Sequence, residues 1–337
     1  NTGLNRVRGN GGDGFDQEMD TDTPTFAQVL KSAAGYRTAY VGKWGLGWTA
    51  SAPWRRGFDT FIGYSTHVAA HFAVPAEMFR YDAQGQLSKV PYPSNRKGSE
   101  AKCVVGDATT VAASPCVHSS DVFRSEALAL MDTMVGASRP LLLFWAPVTP
   151  HAGEWEPNSQ LTSPVTREGV RRNQTKDLGK ALCARGHAAQ VEQYVDRDVG
   201  ALLDWLDAHP GADMNTLVVF LSDNGPHQEC RDMKYTVSFF DATAGLRGYK
   251  RFVFEGGVRT PSMVRWTGVV PPGTISRLPH ALYDVPRTLY AAANVPDNAV
   301  PAHDTGVSML GVWTRGDAST PDLNRVLATR AQVGGSA

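Results

Sequence analysis

The 337 residues carry 33 lysines and arginines against 33 aspartates and glutamates, with 42% hydrophobic and 20% charged residues. That balance supports a sizeable packed core and excludes an intrinsically disordered chain. Zero net charge without a basic run excludes a nucleic-acid partner held by a global field, and the longest apolar runs, 140–148 and 216–221, are too short to be a transmembrane segment.

The elements follow in chain order. Residues 25–35 read as a helix: Pro24 lies at its start, Phe26, Val29, Leu30 and Ala33 share one face, and Gly35 ends it. A short strand over 37–41 runs into Gly42-Lys43. Residues 49–117, rich in Gly, Pro and Ser, read as loops and insertions. A second amphipathic helix follows over 120–135. The unbroken apolar run 141–146 reads as a strand buried on both faces of a parallel sheet, and it leads to Pro150-His151. Residues 188–206 read as a helix with a Val191, Val195, Val199, Leu202, Leu206 stripe. A strand over 216–222 then completes a strand–helix–strand unit. A strand over 261–266 and a helix over 284–293 come last. The expected fold is α/β, a three-layer α/β/α arrangement with a large, mostly parallel central sheet.

In open α/β sheets ligands bind beyond the carboxyl ends of the strands. Lys43, His151, Asp223-Asn224 and, after a glycine-rich loop, Lys250 all fall there. Asp223 and Asn224 offer hard oxygen ligands suited to calcium or, less well, magnesium; Asp-Asn-Gly also closes a strand as an Asx turn. His151 has the chemistry to protonate a leaving group or hold an anionic oxygen, and a loop histidine also serves structurally. Lys43 and Lys250 suit developing negative charge, although lysines are mostly solvated surface charges. Gly256-Gly257 marks either unusual backbone angles or a close approach. Cys103, Cys116, Cys183 and Cys230 form no C-x-x-C pair. A Cys103–Cys116 disulfide and free thiols are both open. Asn173-Gln174-Thr175 is a glycosylation sequon.

Six collinear motifs resemble the sulfatase family of the alkaline-phosphatase superfamily. Gly42-Lys43-Trp44-Gly45-Leu46-Gly47 is similar to G-K-W-H-L-G, and Arg56-Gly57-Phe58-Asp59 to R-G-F-D. Pro150-His151 matches P-H, and Phe220-Leu221-Ser222-Asp223-Asn224-Gly225 matches F-T-S-D-N-G. Residues 246–250 and 254–261 resemble L-R-G-G-K and Y-E-G-G-I-R-V-P, and Asp284 with Pro286-Arg287-Thr288-Leu289 resembles the D-h-h-P-T-L helix (h apolar).

The resemblance implies an alkaline-phosphatase/sulfatase-like fold and hydrolysis of sulfate esters. It implies a metal site, usually for calcium, at Asp223 and Asn224, sulfate contacts from Lys43, His151 and Lys250, and a sulfated small molecule or glycan as substrate. It also suggests a secretory, lysosomal or extracellular location. A phosphodiesterase or phosphonate hydrolase of the same superfamily, and a catalytically dead homologue, are the alternatives.

Two departures stand out. The family's C/S-x-P-S-R run, whose Cys or Ser becomes the formylglycine nucleophile, does not occur. Ser51-Ala52-Pro53-Trp54-Arg55 fits it superficially but stands in the wrong place in the order. Residues 2–6, TGLNR, resemble the tail of the L-L-T-G-R stretch that follows the nucleophile, so the nucleophile and the paired aspartates that complete the metal site are expected upstream of residue 1. Gly45 replaces the family's histidine. Residues 1–316 are read as the catalytic domain, incomplete at its start, and 317–337 as a remnant of the C-terminal subdomain or a tail. His67, His71 and Trp155 are candidates for the pocket rim.

Overall fold

Capping chemistry sets the first element. The Gln28 N–H donates to Thr25 Oγ1 at 3.2 Å and the Thr25 N–H donates to Gln28 Oε1 at 2.9 Å, a reciprocal capping box of a kind that contributes about 1 kcal/mol. Helix α1 (Phe26–Ala34) starts there and ends at Gly35, whose φ of 70° a glycine adopts freely. The structure is a computed structural model that describes residues 18–67, 69–71, 74–95, 117–151, 191–226, 237 and 241–316. The four cysteines, the sequon, Trp155 and residues 1–17 and 317–337 lie outside the described residues.

β1 (Arg37–Lys43) is the centre of the larger sheet. It pairs in parallel with β2 (Thr60–Tyr64) on one side and with β5 (Leu141–Ala146) on the other. An antiparallel hairpin, β3 (Glu77–Tyr81) and β4 (Leu87–Pro91), extends the sheet beyond β2. The order is β4-β3-β2-β1-β5. Alternate residues face opposite sides. Tyr40 and Phe61 join Phe26, Val29 and Leu30 of α1 and Tyr290 of α6 (Asp284–Ala292) in one core. Val41, Ile62 and Tyr64 pack with Val122 and Phe123 of α2 (Ser119–Asp132) in the other. Helices thus cover both faces of the sheet, which is the three-layer architecture expected.

α3 (Arg197–Ala208) is held to α2 by Asp198, 1% exposed, which pairs with Arg124 at 3.0 Å and with Arg197 at 2.7 Å. The short α4 (Pro210–Asp213) leads to β6 (Val218–Leu221), which pairs antiparallel with β7 (Ser262–Arg265). α5 (Glu255–Val258) precedes β7, and α7 (Leu310–Arg315) lays Val312 and Trp313 on Val219 and Val264. Among the described residues no helix is long and apolar enough to cross a membrane.

Four expectations are refined. Among the described residues the central sheet is mixed rather than mostly parallel, because the antiparallel β3 and β4, like the parallel β2, arise inside the stretch 49–117 read as loops; β4 is largely exposed and carries no alternating apolar signal. β6 pairs with β7, not with β5, so 141–146 and 216–222 are not neighbours in one sheet among the described residues. Among the described residues β5 is the edge strand of its sheet and is only half-buried, with Phe144 38% exposed. Finally, a π-helical turn over Val191–Asp196 widens the helix before α3. It turns Tyr194, Asp198 and Leu206 inward and leaves Val191, expected in the stripe, exposed.

Gly42 lets β1 lie this close to β5. A Cβ there would stand 2.0 Å from the Ala146 carbonyl oxygen, at a φ of +128°. Gly42→Ala is therefore expected to cost about 3 kcal/mol or more in urea unfolding. Gly35→Ala, where nothing stands within 4 Å of the added carbon, is expected to cost only about 1–2 kcal/mol for its left-handed backbone.

Candidate functional site

Lys43 is the last residue of β1, and His151 follows β5 by five residues. Because β1 and β5 are parallel, both leave the sheet at the same edge. The Tyr40 hydroxyl donates to the Lys43 carbonyl, and the Trp44 N–H donates to Tyr64 O at 3.1 Å, continuing the β1–β2 register one residue past Lys43. His67, half-buried, lies three residues beyond β2 at that edge; His71 belongs to a 3₁₀ turn, Ala69–His71. Trp44 is buried, and its indole N–H donates to Gly47 O at 2.8 Å and Ser51 O at 3.0 Å. Gly45, in the place of the family's histidine, adopts φ +69° in this turn.

His151 is held from two sides. Its N–H donates to Val148 O at 2.9 Å, and Thr149, two residues earlier and buried, shares a 2.9 Å hydroxyl bond with Ser120 in the first turn of α2. The Thr149-Pro150 peptide bond is cis. The start of α2 is itself fixed: the Ser120 N–H donates to His118 Nδ1 at 3.1 Å, and the His118 ring stacks on Tyr194 at 4.1 Å. Burial pushes His118 down to about 4, keeping the cap neutral and able to accept.

Lys250 comes from the loop between β6 and α5. Its N–H donates to Pro226 O at 2.9 Å, while the Gly225 N–H donates to Gly257 O at 2.9 Å. These bonds clamp the Lys250 loop and α5 onto the Asp223-Asn224-Gly225 turn. The glycines are required by close approach rather than by backbone angle. An added Cβ would stand 2.1 Å from Gly256 O at Gly225, 2.2 Å from Gly248 O at Gly256, and 2.2 Å from Phe252 O at Gly257. The neighbouring Arg251, a non-glycine at φ +80°, carries the backbone strain typical of functional loops.

Lys250 Nζ and His151 Nε2 meet at 3.0 Å, although 99 residues separate them. As an ammonium, Lys250 donates, so His151 Nε2 accepts and its ring proton sits on Nδ1. The structure thus joins His151 to Lys250 directly, binds Lys250 to the 223–226 turn through the backbone, and sets Lys43 on the same sheet edge as His151.

Asp223 is exposed. Asn224 Nδ2 donates to Gly225 O at 3.0 Å, so the amide's other atom, Oδ1, is its acceptor end. Both are hard oxygen donors and fit a divalent cation. Among the described residues, no group of three or more His, Cys, Asp or Glu is placed to hold a metal.

Two of the matched motifs are architectural. The Arg56 guanidinium, 3% exposed, donates to the carbonyls of Thr21 and Thr23. Asp59 accepts from the Thr38 N–H at 2.9 Å and pairs with Lys31 at 2.5 Å. Asp284, fully buried, accepts from the N–H groups of Ala281 and Val307. One participant in the loop after Lys43 was not singled out in the sequence: Glu18, an acidic residue in no motif, whose partners are the backbone N–H groups of Trp48, Thr49 and Ser51 and the Thr49 hydroxyl.

The fold agrees with comparisons across known proteins. The sulfatase family profile matches residues 2–295, and the chain belongs to the sulfatase family. It is 26% identical over 298 residues to the uncharacterized sulfatase YdeN of Escherichia coli K12, covering 80% of this chain and 44% of that protein. It is 27% identical over 328 residues to the steryl-sulfatase of Rattus norvegicus, covering 85% and 55%. The chain therefore spans about half the length of these relatives. Its fold superposes on the PsFucS1 sulfatase from Pseudoalteromonas sp. with a TM-score of 0.62 at 22% identity, covering 87% of this chain and 55% of that one.

The Lys250–His151 bond predicts a tautomer. In two-dimensional ¹⁵N–¹H spectra of the imidazole, His151 is expected in the Nδ1–H form. Lys250→Ala is expected to shift it toward the Nε2–H form preferred by free imidazole; an Nε2–H ring in the unaltered protein contradicts the geometry.

Proposed function

We propose that this chain supplies the anion-binding wall of a sulfate-ester hydrolase, acting on a sulfated small molecule or glycan. The observation that carries the reading is the 3.0 Å contact between Lys250 and His151, set against the Asp223-Asn224 turn. Lys43 and Lys250 hold sulfate oxygens as point charges. His151 delivers the proton to the departing alcohol: a sulfate oxygen takes over Lys250, the freed Nε2 takes up a proton from solvent water to give the imidazolium, and the alkoxide oxygen receives that proton as the S–O bond breaks, leaving the imidazole neutral again. Asp223 and Asn224 would hold part of a divalent cation's shell, with calcium the preferred ion, and a cation held there would supply Lewis-acid stabilisation of the negative charge. The attacking group, a formylglycine in the family's pattern, is taken to come from outside these 337 residues, which contain no C/S-x-P-S-R run.

The test is turnover of 4-nitrophenyl sulfate and bis(4-nitrophenyl) phosphate. The chain extended by its upstream coding sequence and co-expressed with a formylglycine-generating enzyme is expected to hydrolyse the sulfate, and the 337 residues alone are not. Lys250→Ala in the extended protein is expected to lower kcat/KM about 100-fold. Preference for the phosphodiester, or an inactive extended protein, overturns the reaction assignment. Hydrolysis by the 337 residues alone overturns the placement of the nucleophile.

A further inference from the structure

The geometry points to Glu18 as a positioning residue for Lys43, acting through the loop that follows β1; this rests on the reading of Lys43 as a sulfate contact. The Glu18 carboxylate receives four hydrogen bonds from three residues. Oε1 accepts from the Trp48 N–H at 3.0 Å, the Thr49 N–H at 2.8 Å and the Thr49 hydroxyl at 2.6 Å. Oε2 accepts from the Ser51 N–H at 2.6 Å. Three backbone donors converging on one anion form a nest, filled here by the chain's own carboxylate.

The consequences reach Lys43 in two steps. The Met19 N–H donates to Leu46 O at 3.3 Å, and the Ser51 hydroxyl donates to Met19 O at 3.1 Å, so residues 18–19 run along the whole 46–51 turn. The Gly47 and Ser51 carbonyls that this turn presents are the acceptors of the buried Trp44 indole N–H. Trp44 directly follows Lys43 and packs edge-on against Tyr40 with ring centroids 5.1 Å apart, the same Tyr40 whose hydroxyl reaches the Lys43 carbonyl. Gly47 is part of the device: a Cβ there would stand 2.5 Å from Glu18 Oε2 and 2.8 Å from Glu18 Cα.

The carboxylate form is the one the turn requires, because every partner is a donor. Desolvation pushes the Glu18 carboxyl up, but the hydrogen bonds from Thr49 and Ser51 together outweigh it and hold the group at about 2. An amide in its place offers one acceptor and turns an NH₂ toward a donor. An aspartate is one methylene too short for both ends of the turn.

The experiment is a double-mutant cycle read by inorganic sulfate binding in calorimetry, with amide hydrogen exchange at Trp48, Thr49 and Ser51 measured alongside. Glu18→Gln is expected to lose protection at those three amides and to weaken sulfate binding about tenfold with the far-UV spectrum unchanged. Lys43→Ala is expected to weaken it at least as much. The double variant is expected to match Lys43→Ala within about twofold, because Glu18 acts through Lys43. Additive losses, unchanged sulfate affinity in Glu18→Gln, or retained amide protection each overturn the proposal. No sulfate binding by the unaltered protein overturns the site reading, and the positioning role with it. Loss confined to the variant separates the two. Should Glu18→Gln unfold, Gly47→Ala, which crowds the same carboxylate, is expected to give the same pattern of exchange and affinity.

Discussion

The hydrogen bond between Lys250 and His151 joins two parts of the molecule that share no strand pairing among the described residues. His151 belongs to the five-stranded sheet through β5, and Lys250 is clamped to the turn that ends β6 in the smaller sheet. Each side chain has its own anchoring. The first runs through Thr149 and Ser120 to the capped start of α2, and the second through Pro226 to the Asp223-Asn224 turn. A site whose two halves are each fixed by a packed element is preorganised, and preorganised donors are what stabilise developing charge most effectively.

Close backbone approach is the second constraint. At Gly42 and at Gly225, Gly256 and Gly257, any side chain would overlap a neighbouring carbonyl oxygen. These glycines do not lend mobility. They allow β1 to lie tight against β5, and the Lys250 loop tight against the end of β6. Burial around them is substantial: Tyr40, Phe58 and Phe61 on one face and Ile62, Tyr64 and Phe123 on the other are each under 7% exposed, and a buried side chain of this size contributes roughly 1.5–3 kcal/mol.

Much of this was legible in the residues. The span 141–146 is a strand with those bounds, and Thr25 and Gly35 bracket α1, because capping and apolar runs are local signals. His151 meets Lys250 although β5 and β6 stand in different sheets, and the Lys250 backbone is bonded to Pro226, next to the Asp223-Asn224-Gly225 turn. The hairpin of β3 and β4 was not legible, since an exposed strand such as β4 leaves no apolar alternation. Nor was the partner of β6: the β6–β7 register depends on contacts more than 40 residues apart in the sequence. The stripe from Val191 failed at the π-helical turn, which no simple periodicity announces. Glu18 was invisible for a related reason, since its meaning lies in the backbone of residues 48–51.

The central claim is that Lys250 and His151 form one anion-binding wall beside the Asp223-Asn224 turn. The most direct measurement is a crystal structure of the protein soaked with selenate, a sulfate isostere with a strong anomalous signal, in the presence of calcium. The account predicts a selenium peak with its oxygens within hydrogen-bonding distance of Lys250 Nζ and His151 Nε2, and a calcium ion against Asp223 and Asn224. Selenate bound only elsewhere on the surface, with the Lys250–His151 contact unchanged, would contradict it.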